Sequence, residues 1–420
     1  MLNQSFNFIQ KLKRTFFPFY KNEDLKFIFK KLQDGVPREQ VAARFVGGCV
    51  RKHLLNEKID DIDIATILTT DQIREKFKDT NLKVIDTGIK HGTITLVSDK
   101  HKVELTTLRK DIKTDGRHAE VEYTDDWKKD SERRDFTINA IYLDINGKIF
   151  DPQMGKADLE NYIIKFIGDP QKRIEEDYLR IIRFIRFKIM YDIVVEPSTS
   201  NVIKQNLDGI KKISKERILI ELLKILDLEN FLKINDSSNL REIFSMIFPE
   251  FLYLNRLNRL KKVYKQSELS RDILLAVLLI DEKDNHEYFL HKYNVSNRIT
   301  EMLKKFKKDF IELQNNKDYF EKDLIKNIYL NGKKHIISLN LINFSINTKI
   351  KAYDFSNILN KILKTKVPFL PIDGELLKRK GMKEGESLGK VLKELEKEWF
   401  NNNFKISNNR IDEIIKIHSN

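Results

Sequence analysis

Two short groups of residues in the first part of the chain could do chemistry together. Gly47 and Gly48 end an apolar, strand-like run, and Asp61 and Asp63 lie two residues apart on a second strand-like segment. Glycines after a strand let backbone N–H groups approach a phosphate closely, and the start of a following helix adds partial positive charge. Carboxylates two apart on an extended segment point to one face, where their oxygens could bind Mg²⁺. The joined stretch predicts a triphosphate cradle beside a magnesium site.

A third carboxylate comes from residues 103–109, where alternation places Glu104 on the face opposite Val103 and Leu105. Taken alone, Glu104 is typical of a solvent-facing strand residue. If its strand lies beside the strand of Asp61 and Asp63, the three carboxylates surround a site suited to two hard cations. We therefore predict Asp61, Asp63 and Glu104 as catalytic residues, with Asp61 and Asp63 as the metal ligands.

Paired arginines, an aspartate and an asparagine occur within residues 131–140. A guanidinium matches phosphate oxygens, and an amide can both donate and accept hydrogen bonds. We predict that Arg134 binds a triphosphate and that Asp135 or Asn139 binds a ribose hydroxyl. For Arg133 we expect only an ion pair on a helix surface.

The periodicity of residues 175–187 predicts one helix, with Asp177 and Arg180 one turn apart on the same face. Such a pair is ordinarily an intrahelical ion pair worth about 0.2–0.5 kcal/mol. It could also read a nucleobase, since the carboxylate accepts from an amino group while the guanidinium donates to ring acceptors. Cytosine and adenine offer that pattern, whereas uracil and guanine place a carbonyl oxygen opposite the carboxylate. Good bidentate contacts discriminate between bases by about 1–3 kcal/mol.

Composition limits the class of protein. The chain has 420 residues with 77 Lys and Arg against 63 Asp and Glu, so its net charge of +14 favours a polyanionic partner. The single cysteine, Cys49, excludes an internal disulfide and any cysteine-cluster metal site, which fits a reducing compartment and predicts a cytoplasmic location. Residues 1–20 do not have the pattern of a signal peptide, and no run is long enough to span a membrane. The oligomeric state stays open.

The elements that must position these residues follow from periodicity. We predict an α+β fold in which an α/β head with a mixed sheet precedes an all-α region that begins near residue 170 and is broken at residues 367–371. The individual expectations are an amphipathic leader over residues 1–24, a helix over 22–32, a helix after Thr70, strands over 82–85, 93–97 and 103–108, and a hairpin connection at 98–100.

These blocks, in this order and spacing, resemble the class II tRNA nucleotidyltransferase (CCA-adding enzyme) and bacterial poly(A) polymerase family. The resemblance is carried by Gly47-Gly48 with Asp61 and Asp63, by Arg134-Asp135 with Asn139, by Asp151, Gly155 and Asp158-Leu159, and by Glu176 through Arg180. A weaker likeness to a tail segment rests on residues 371–374, Gly381, Gly389 and Trp399.

The resemblance implies a palm-like head at 25–151, a helical neck at 152–215 that carries the nucleotide template, a body at 216–366 and a tail at 367–420. It implies Mg²⁺-dependent addition of C, C and A to the acceptor end of tRNA from CTP and ATP. The nucleotide-binding residues that it implies are Gly47, Gly48, Arg51, Arg134, Asp135, Asn139, Asp177, Arg180 and Arg183. One departure is Lys52, where the family usually has an aspartate that could orient Arg51 or the sugar.

Other activities of the family stay open as alternatives. The Gly-basic-basic-Phe segment of poly(A) polymerases is replaced here by residues 87–93, which favours CCA addition. Enzymes that add only C, C lack a loop element for which this chain has a full segment at 109–127, including Asp115-Gly-Arg117. An enzyme that adds only A, or a non-catalytic RNA-binding protein, is also compatible with the composition. No His-Asp dipeptide occurs, so we expect no phosphohydrolase activity of the His-Asp type.

Overall fold

The computed structural model describes residues 18–88, 92–98, 101–114, 119–192, 196–264 and 268–418, with the backbone alone for 111–114 and 119–121. The described residues fall into two units. The first contains the chain up to Pro249 together with Lys292–Asn294, and the second contains Glu250–His291 and the chain from Val295 onward. The candidate site lies within the first unit.

The described residues of the first unit contain nine strands. Strands β1 to β9 are, in order, Ala43–Val46, Ile62–Thr66, Lys83–Gly88, Thr93–Val97, Lys102–Thr107, Arg109–Thr114, Ala119–Tyr123, Tyr142–Leu143 and Ile149–Phe150. Seven of them form a mixed sheet in the order β3-β4-β5-β2-β1-β8-β9. Strands β2 and β5 are parallel, and the other neighbouring pairs are antiparallel. Strands β6 and β7 form a separate antiparallel pair.

The helices of the chain up to Pro249 are short and follow local signals. Asn22 caps the helix Glu23–Gln33, and Thr69 with Gln72 forms a capping box at the start of the helix Thr70–Phe77. Helices α1 to α10 are, in order, Glu23–Gln33, Gly48–Leu54, Thr70–Phe77, Trp127–Glu132, Gly155–Glu160, Pro170–Glu176, Leu179–Tyr191, Pro197–Gln205, Lys215–Leu226 and Ser238–Ile247.

Every regular element among the described residues beyond Pro249 is helical, as the periodicity predicts. Helices α11 to α20 are Leu257–Leu260, Arg271–Leu279, Asn285–Tyr293, Asn297–Asn315, Leu324–Asn331, Lys333–Ile346, Ala352–Lys364, Gly374–Arg379, Glu386–Asn401 and Asn408–His418. The break at 367–371 falls between α17 and α18. None of the helices described is both long and apolar enough to cross a bilayer.

Aromatic packing fixes α7 against the segment that follows α4. The ring of Phe136 lies 4.9 Å from Phe166 and 5.5 Å from Phe187, and Phe166 stacks on Phe184 at 5.7 Å. Phe136 and Phe166 also form an isolated β-bridge. This packing brings the arginine-rich segment at 131–140 against the middle of α7.

The segment containing Asp151, Gly155 and Asp158 packs against Thr137, in the turn that carries Asn139. Asp151 accepts hydrogen bonds from the N–H groups of Gly155 at 2.9 Å and Lys156 at 2.8 Å, and so begins α5. A Cβ on Gly155 would lie 2.0 Å from the carbonyl oxygen of Thr137, so only glycine permits this approach. Thr137 donates to Asp158 Oδ2 at 2.7 Å. These contacts hold the turn that carries Asn139.

The predicted α+β class with a mixed sheet and a helical remainder is confirmed. The helices expected at 22–32 and after Thr70, and the strand expected at 93–97, are present. The expectation of one helix over 175–187 is wrong, because α6 ends at Glu176 and Asp177 is extended, with φ −156° and ψ 102°. The hairpin of β6 and β7 was not predicted.

The division into leader, head, neck, body and tail stays a prediction. Of the predicted leader, residues 1–17 lie outside the described residues, as do two residues of the hairpin connection at 98–100. The same holds for Asp115-Gly-Arg117 and for residues 89–91 of the segment at 87–93.

Candidate active site

One cavity of about 490 Å³ in the first unit collects the residues that the motifs single out. All nine predicted nucleotide-binding residues line it, together with Asp63. Eight described arginines and three aspartates contribute to its wall, so the cavity is strongly cationic. The lining residues are Gly47, Gly48, Arg51, Asp63, Arg109, Arg133, Arg134, Asp135, Asn139, Asp177, Leu179, Arg180, Arg183, Arg186, Phe187 and Arg217.

The glycine pair lies directly beside Asp63. Gly47 has φ +73° and ψ −127°, a conformation that favours glycine, and α2 begins at Gly48. A Cβ on Gly47 would lie 3.6 Å from Asp63 Oδ2, whereas a Cβ on Gly48 would have no neighbouring atom within 4 Å. The backbone at Gly48 therefore borders open space, as a phosphate cradle requires.

Carboxylates meet where β2 and β5 run side by side. Asp63 pairs with Glu104 in the parallel register, and the buried residues Ile62 and Ile64 face the other way. Burial first and the charge of Glu104 second raise the pKa of Asp63 to about 6, with a smaller contribution from Asp61. The sheet thus places like charges close enough to oppose one another.

Asp61 and Asp63 supply the oxygen ligands that Mg²⁺ prefers, and a cation there would offset this repulsion. Asp61 is exposed and directly precedes β2, and Glu104 Oε1 lies 3.1 Å from Lys102 Nζ. Within the described ranges, no three His, Cys, Asp or Glu side chains form a metal site by themselves. The metal-binding role of Asp61 and Asp63 and the catalytic role of Glu104 stay predictions.

A buried carboxylate holds both arginines of the second motif. Asp130 is fully buried and lies 2.7 Å from Arg133 Nη2 and 3.1 Å from Arg134 Nη2, and the Tyr142 hydroxyl donates to it at 2.7 Å. Burial raises the pKa of Asp130, but Arg134 and Arg133 more than offset this and hold it well below its usual range. Arg133 forms the ion pair expected of it, although its partner is buried and it also lines the cavity.

A hydrogen-bonded chain joins the first motif, the second motif and α7. Arg51 donates to Asn139 Oδ1 and, through Nε, to the Tyr191 hydroxyl at 2.8 Å. Asn139 Nδ2 donates to Asp135 Oδ1 at 2.9 Å, and Arg183 Nε donates to Asp135 Oδ2 at 2.7 Å. Burial raises the pKa of Asp135, but Arg183 and Asn139 bring it down to about 2. Asp135 is therefore an ionised acceptor for its neighbours.

Asp177 and Arg180 have separate partners. Arg217 Nη2 donates to Asp177 Oδ2 at 2.7 Å. Arg180 Nη1 donates to Glu176 Oε2 and to the Arg173 carbonyl oxygen, both at 2.6 Å. The intrahelical ion pair expected from the spacing is therefore wrong, because the extended Asp177 lies between two helices. Both side chains nevertheless line the cavity.

Lys52, the departure from the family pattern, turns away to Asp60, whose Oδ2 lies 3.2 Å from Lys52 Nζ. Arg51 is oriented by Asn139 and Tyr191 instead. The orientation of Arg51 therefore does not depend on an aspartate at position 52.

Several lining residues were missed by the sequence reasoning, among them Arg109, Arg186 and Arg217. Arg217 is forty residues away from Asp177 and carries no local signal. Asp130 could have been found, because it precedes Arg133 and Arg134 by three and four residues, the spacing of neighbours on a helix.

Comparison with known proteins agrees with this arrangement. Residues 43–165 match the model of the "Poly A polymerase head domain", and residues 192–253 match that of the "Probable RNA and SrmB- binding site of polymerase A". The mitochondrial CCA tRNA nucleotidyltransferase 1 of Homo sapiens is 30% identical over 99% of this chain and 95% of its own length. The CCA-adding enzyme of Staphylococcus haemolyticus is 31% identical over 92% of this chain and 96% of its own length.

Among solved structures, the Bacillus stearothermophilus CCA-adding enzyme in complex with CTP has the same fold, with a TM-score of 0.67 and 24% identity. The alignment covers 94% of this chain and 96% of that one. The Thermotoga maritima CCA-adding enzyme complexed with tRNA aligns with a TM-score of 0.59 and 22% identity. That alignment covers 94% of this chain and 95% of the Thermotoga maritima chain. With full-length relatives at 30% identity or more, this chain belongs to the class II tRNA nucleotidyltransferase (CCA-adding enzyme) and poly(A) polymerase family.

Proposed function

We propose that this protein adds C, C and A to the 3′ end of tRNA, using CTP and ATP and releasing pyrophosphate, without a nucleic-acid template. The observation that carries the proposal is the cationic cavity, whose lining brings together Gly47 and Gly48, Asp63 of the sheet, and Asp177 and Arg180. Relatives named as CCA-adding enzymes along nearly the whole chain support it.

The triphosphate lies, in this proposal, between the Gly47-Gly48 backbone and Arg134. Arg134 is held by Asp130 and by the Tyr142 hydroxyl at 3.1 Å, so its charge is fixed before substrate arrives. A charge fixed in advance stabilises a phosphate without reorganisation during the reaction. Asn139 and Asp135 lie beside it and are the candidates for the ribose hydroxyl.

Asp61 and Asp63 would hold Mg²⁺, with Glu104 next to Asp63 as the third catalytic candidate. When bound, Mg²⁺ supplies charge neutralisation for the phosphates and lowers the pKa of the attacking 3′-hydroxyl. The chain's own residues orient the triphosphate so that the tRNA hydroxyl attacks in line with the leaving pyrophosphate.

Asp177 and Arg180 select the base. The Asp177 carboxylate accepts from the amino group of cytosine or adenine, and the Arg180 guanidinium donates to the neighbouring ring acceptor. Uracil and guanine would set a carbonyl oxygen against Asp177. Both side chains are held by other residues, so the reading edge is fixed without a template strand.

The partner is the acceptor end of tRNA, in keeping with the net charge of +14. The cytoplasm is the proposed location, because the single cysteine fits a reducing compartment. Some relatives carry the word mitochondrial in their names.

The test measures incorporation of labelled nucleotide into tRNA that lacks CCA, with Mg²⁺, for wild type, Asp61→Ala and Arg180→Ala. We expect Asp61→Ala to abolish all addition and Arg180→Ala to let UTP and GTP compete with CTP and ATP. Asp60→Ala is the matched control, because Asp60 is an exposed neighbour that pairs with Lys52 and Lys58. Full activity of Asp61→Ala would remove the metal assignment, and unchanged selectivity of Arg180→Ala would remove the template assignment.

A further inference from the structure

Arg173 in α6 connects two parts of the site without itself being among the described residues that line the cavity. Its Nη2 donates to the carbonyl oxygens of Arg133 at 2.7 Å and Arg134 at 2.5 Å. Its Nη1 donates to Glu176 Oε2 at 2.5 Å. The guanidinium of this side chain, which is 12% exposed, therefore connects the backbone of Arg133 and Arg134 to the end of α6.

The same carboxylate oxygen of Glu176 accepts from Arg180 Nη1 at 2.6 Å, and that nitrogen also donates to the Arg173 carbonyl oxygen. Both bonds use Nη1 of Arg180. The opposite edge of this guanidinium, with Nε and Nη2, is then the edge that can donate to a base. Arg173 contacts Arg180 both through its own carbonyl and through Glu176.

We propose that Arg173 is a positioning residue for base selection. Through Glu176 and its own carbonyl oxygen, Arg173 orients the Arg180 guanidinium. Through the carbonyl oxygens of Arg133 and Arg134, it fixes the distance between the base-reading edge of Arg180 and the phosphate-binding motif. The inference rests on the proposed function, in which Arg180 reads the base. It assigns to Arg173 no contact with substrate.

Only arginine fits this position. Its planar fork reaches acceptors on two sides at once, whereas a lysine ammonium is a single point that cannot span the Glu176 carboxylate and two backbone carbonyls in the same way. Without the fork, Glu176 can turn together with Arg180, and the base-reading edge moves relative to the bound triphosphate. A displacement of about 1 Å can cost roughly a hundredfold in rate.

The test uses the full-length protein as wild type, Arg173→Met and Arg173→Lys, with tRNA lacking CCA. The measurement is kcat/KM for CTP and for UTP, together with equilibrium binding of each nucleotide in the absence of tRNA. We expect both variants to lower the preference for CTP over UTP by about tenfold, within the range of a single base contact. Lys172→Met is the matched control, since it removes an exposed positive charge from the adjacent position of α6.

A purely structural role would reduce the folded fraction, and with it the rates for CTP and UTP by the same factor. The ratio of the two rates is therefore the decisive readout. An unchanged ratio in folded Arg173→Met would overturn the proposal. If Arg173→Met does not fold, an unchanged ratio in Arg173→Lys, which keeps the charge, would overturn it equally.

A double-mutant cycle with Arg180→Ala shows whether Arg173 acts through Arg180. We expect Arg173→Met to have no further effect on the CTP to UTP ratio once Arg180 is removed. An equal effect in both backgrounds would mean that Arg173 acts elsewhere and would also overturn the proposal. Failure of wild type to add any nucleotide would instead overturn the proposed function, so the two failures are distinguishable.

Discussion

Asp63 should destabilise the folded protein when no cation is bound, and Asp63→Asn should relieve this. Burial and the neighbouring Glu104 raise the pKa of Asp63 from 3.8 to about 6. A carboxyl whose pKa is raised by folding keeps its proton in the folded state after the unfolded chain has released it. Stability is therefore lost as the pH rises from about 4 to about 6, and the full cost persists at higher pH.

The size of the effect follows from the shift. At 1.36 kcal/mol per pKa unit, ionised Asp63 costs the folded state at most about 3 kcal/mol at pH 8 and about half of that at pH 5. At pH 8 the free energy of unfolding of Asp63→Asn should therefore be higher than that of the wild type by up to about 3 kcal/mol, while the variant loses nucleotide addition. Mg²⁺ should narrow the difference in stability between Asp63→Asn and the wild type, because it stabilises the ionised carboxylate that only the wild type has.

The assay is equilibrium unfolding by urea in EDTA at pH 5 and pH 8. The chain has two tryptophans, Trp127 and Trp399. In a Trp399→Phe background, Trp127, whose ring packs against Tyr142 at 5.5 Å, reports on the unit that contains Asp63. Asp60→Asn is the control, because hydrogen bonds from Lys58 and Lys52 lower the pKa of Asp60, and its effect should be smaller and of opposite sign.

If Asp63→Asn were no more stable than the wild type at pH 8 in EDTA, ionised Asp63 would not destabilise the folded state, contrary to the prediction. A stability difference that is the same at pH 5 and pH 8 would also contradict it, since the effect would then not come from ionisation.

Three further changes test other parts of the site. Asp130→Asn leaves the buried Arg134 without its anion and should lower the free energy of unfolding by about 3–5 kcal/mol in the same urea assay. The variant should also lose activity. Gly155→Ala forces a methyl group to within 2.0 Å of the Thr137 carbonyl oxygen and should destabilise the protein by about 1–3 kcal/mol, measured by thermal unfolding. Gly48→Ala meets no atom within 4 Å, so it should keep its stability but raise KM for CTP; an unchanged KM would argue against a phosphate at this backbone.

Local signals were enough for two elements that follow the first motif in the chain. The strand Thr93–Val97 follows from alternation, and the start of Thr70–Phe77 follows from a capping box, because both depend on neighbouring residues. The parallel pairing of β2 with β5, which places Glu104 beside Asp63, could only be stated as a condition, since strand order depends on contacts distant in the chain.

The break at Asp177 shows the limit of periodicity. The apolar residues around it recur as in a continuous helix, yet the extended conformation is supported by Arg217 at 2.7 Å from Asp177. The ring of Tyr178 also occupies the space that a Cβ on Gly209 would need, at 2.0 Å. Both supports lie more than thirty residues away, where no local pattern could reveal them. The hairpin of β6 and β7 was missed because Arg109–Thr114 is mostly charged and polar.

The most direct test of the proposed function is to sequence the 3′ ends of three matched tRNAs after incubation with the protein, Mg²⁺, CTP and ATP. The tRNAs end before the CCA, after the first C and after both. We predict that all three are completed to CCA and extended no further. Addition of only C or only A, long A tails, or no addition at all would contradict the proposed function.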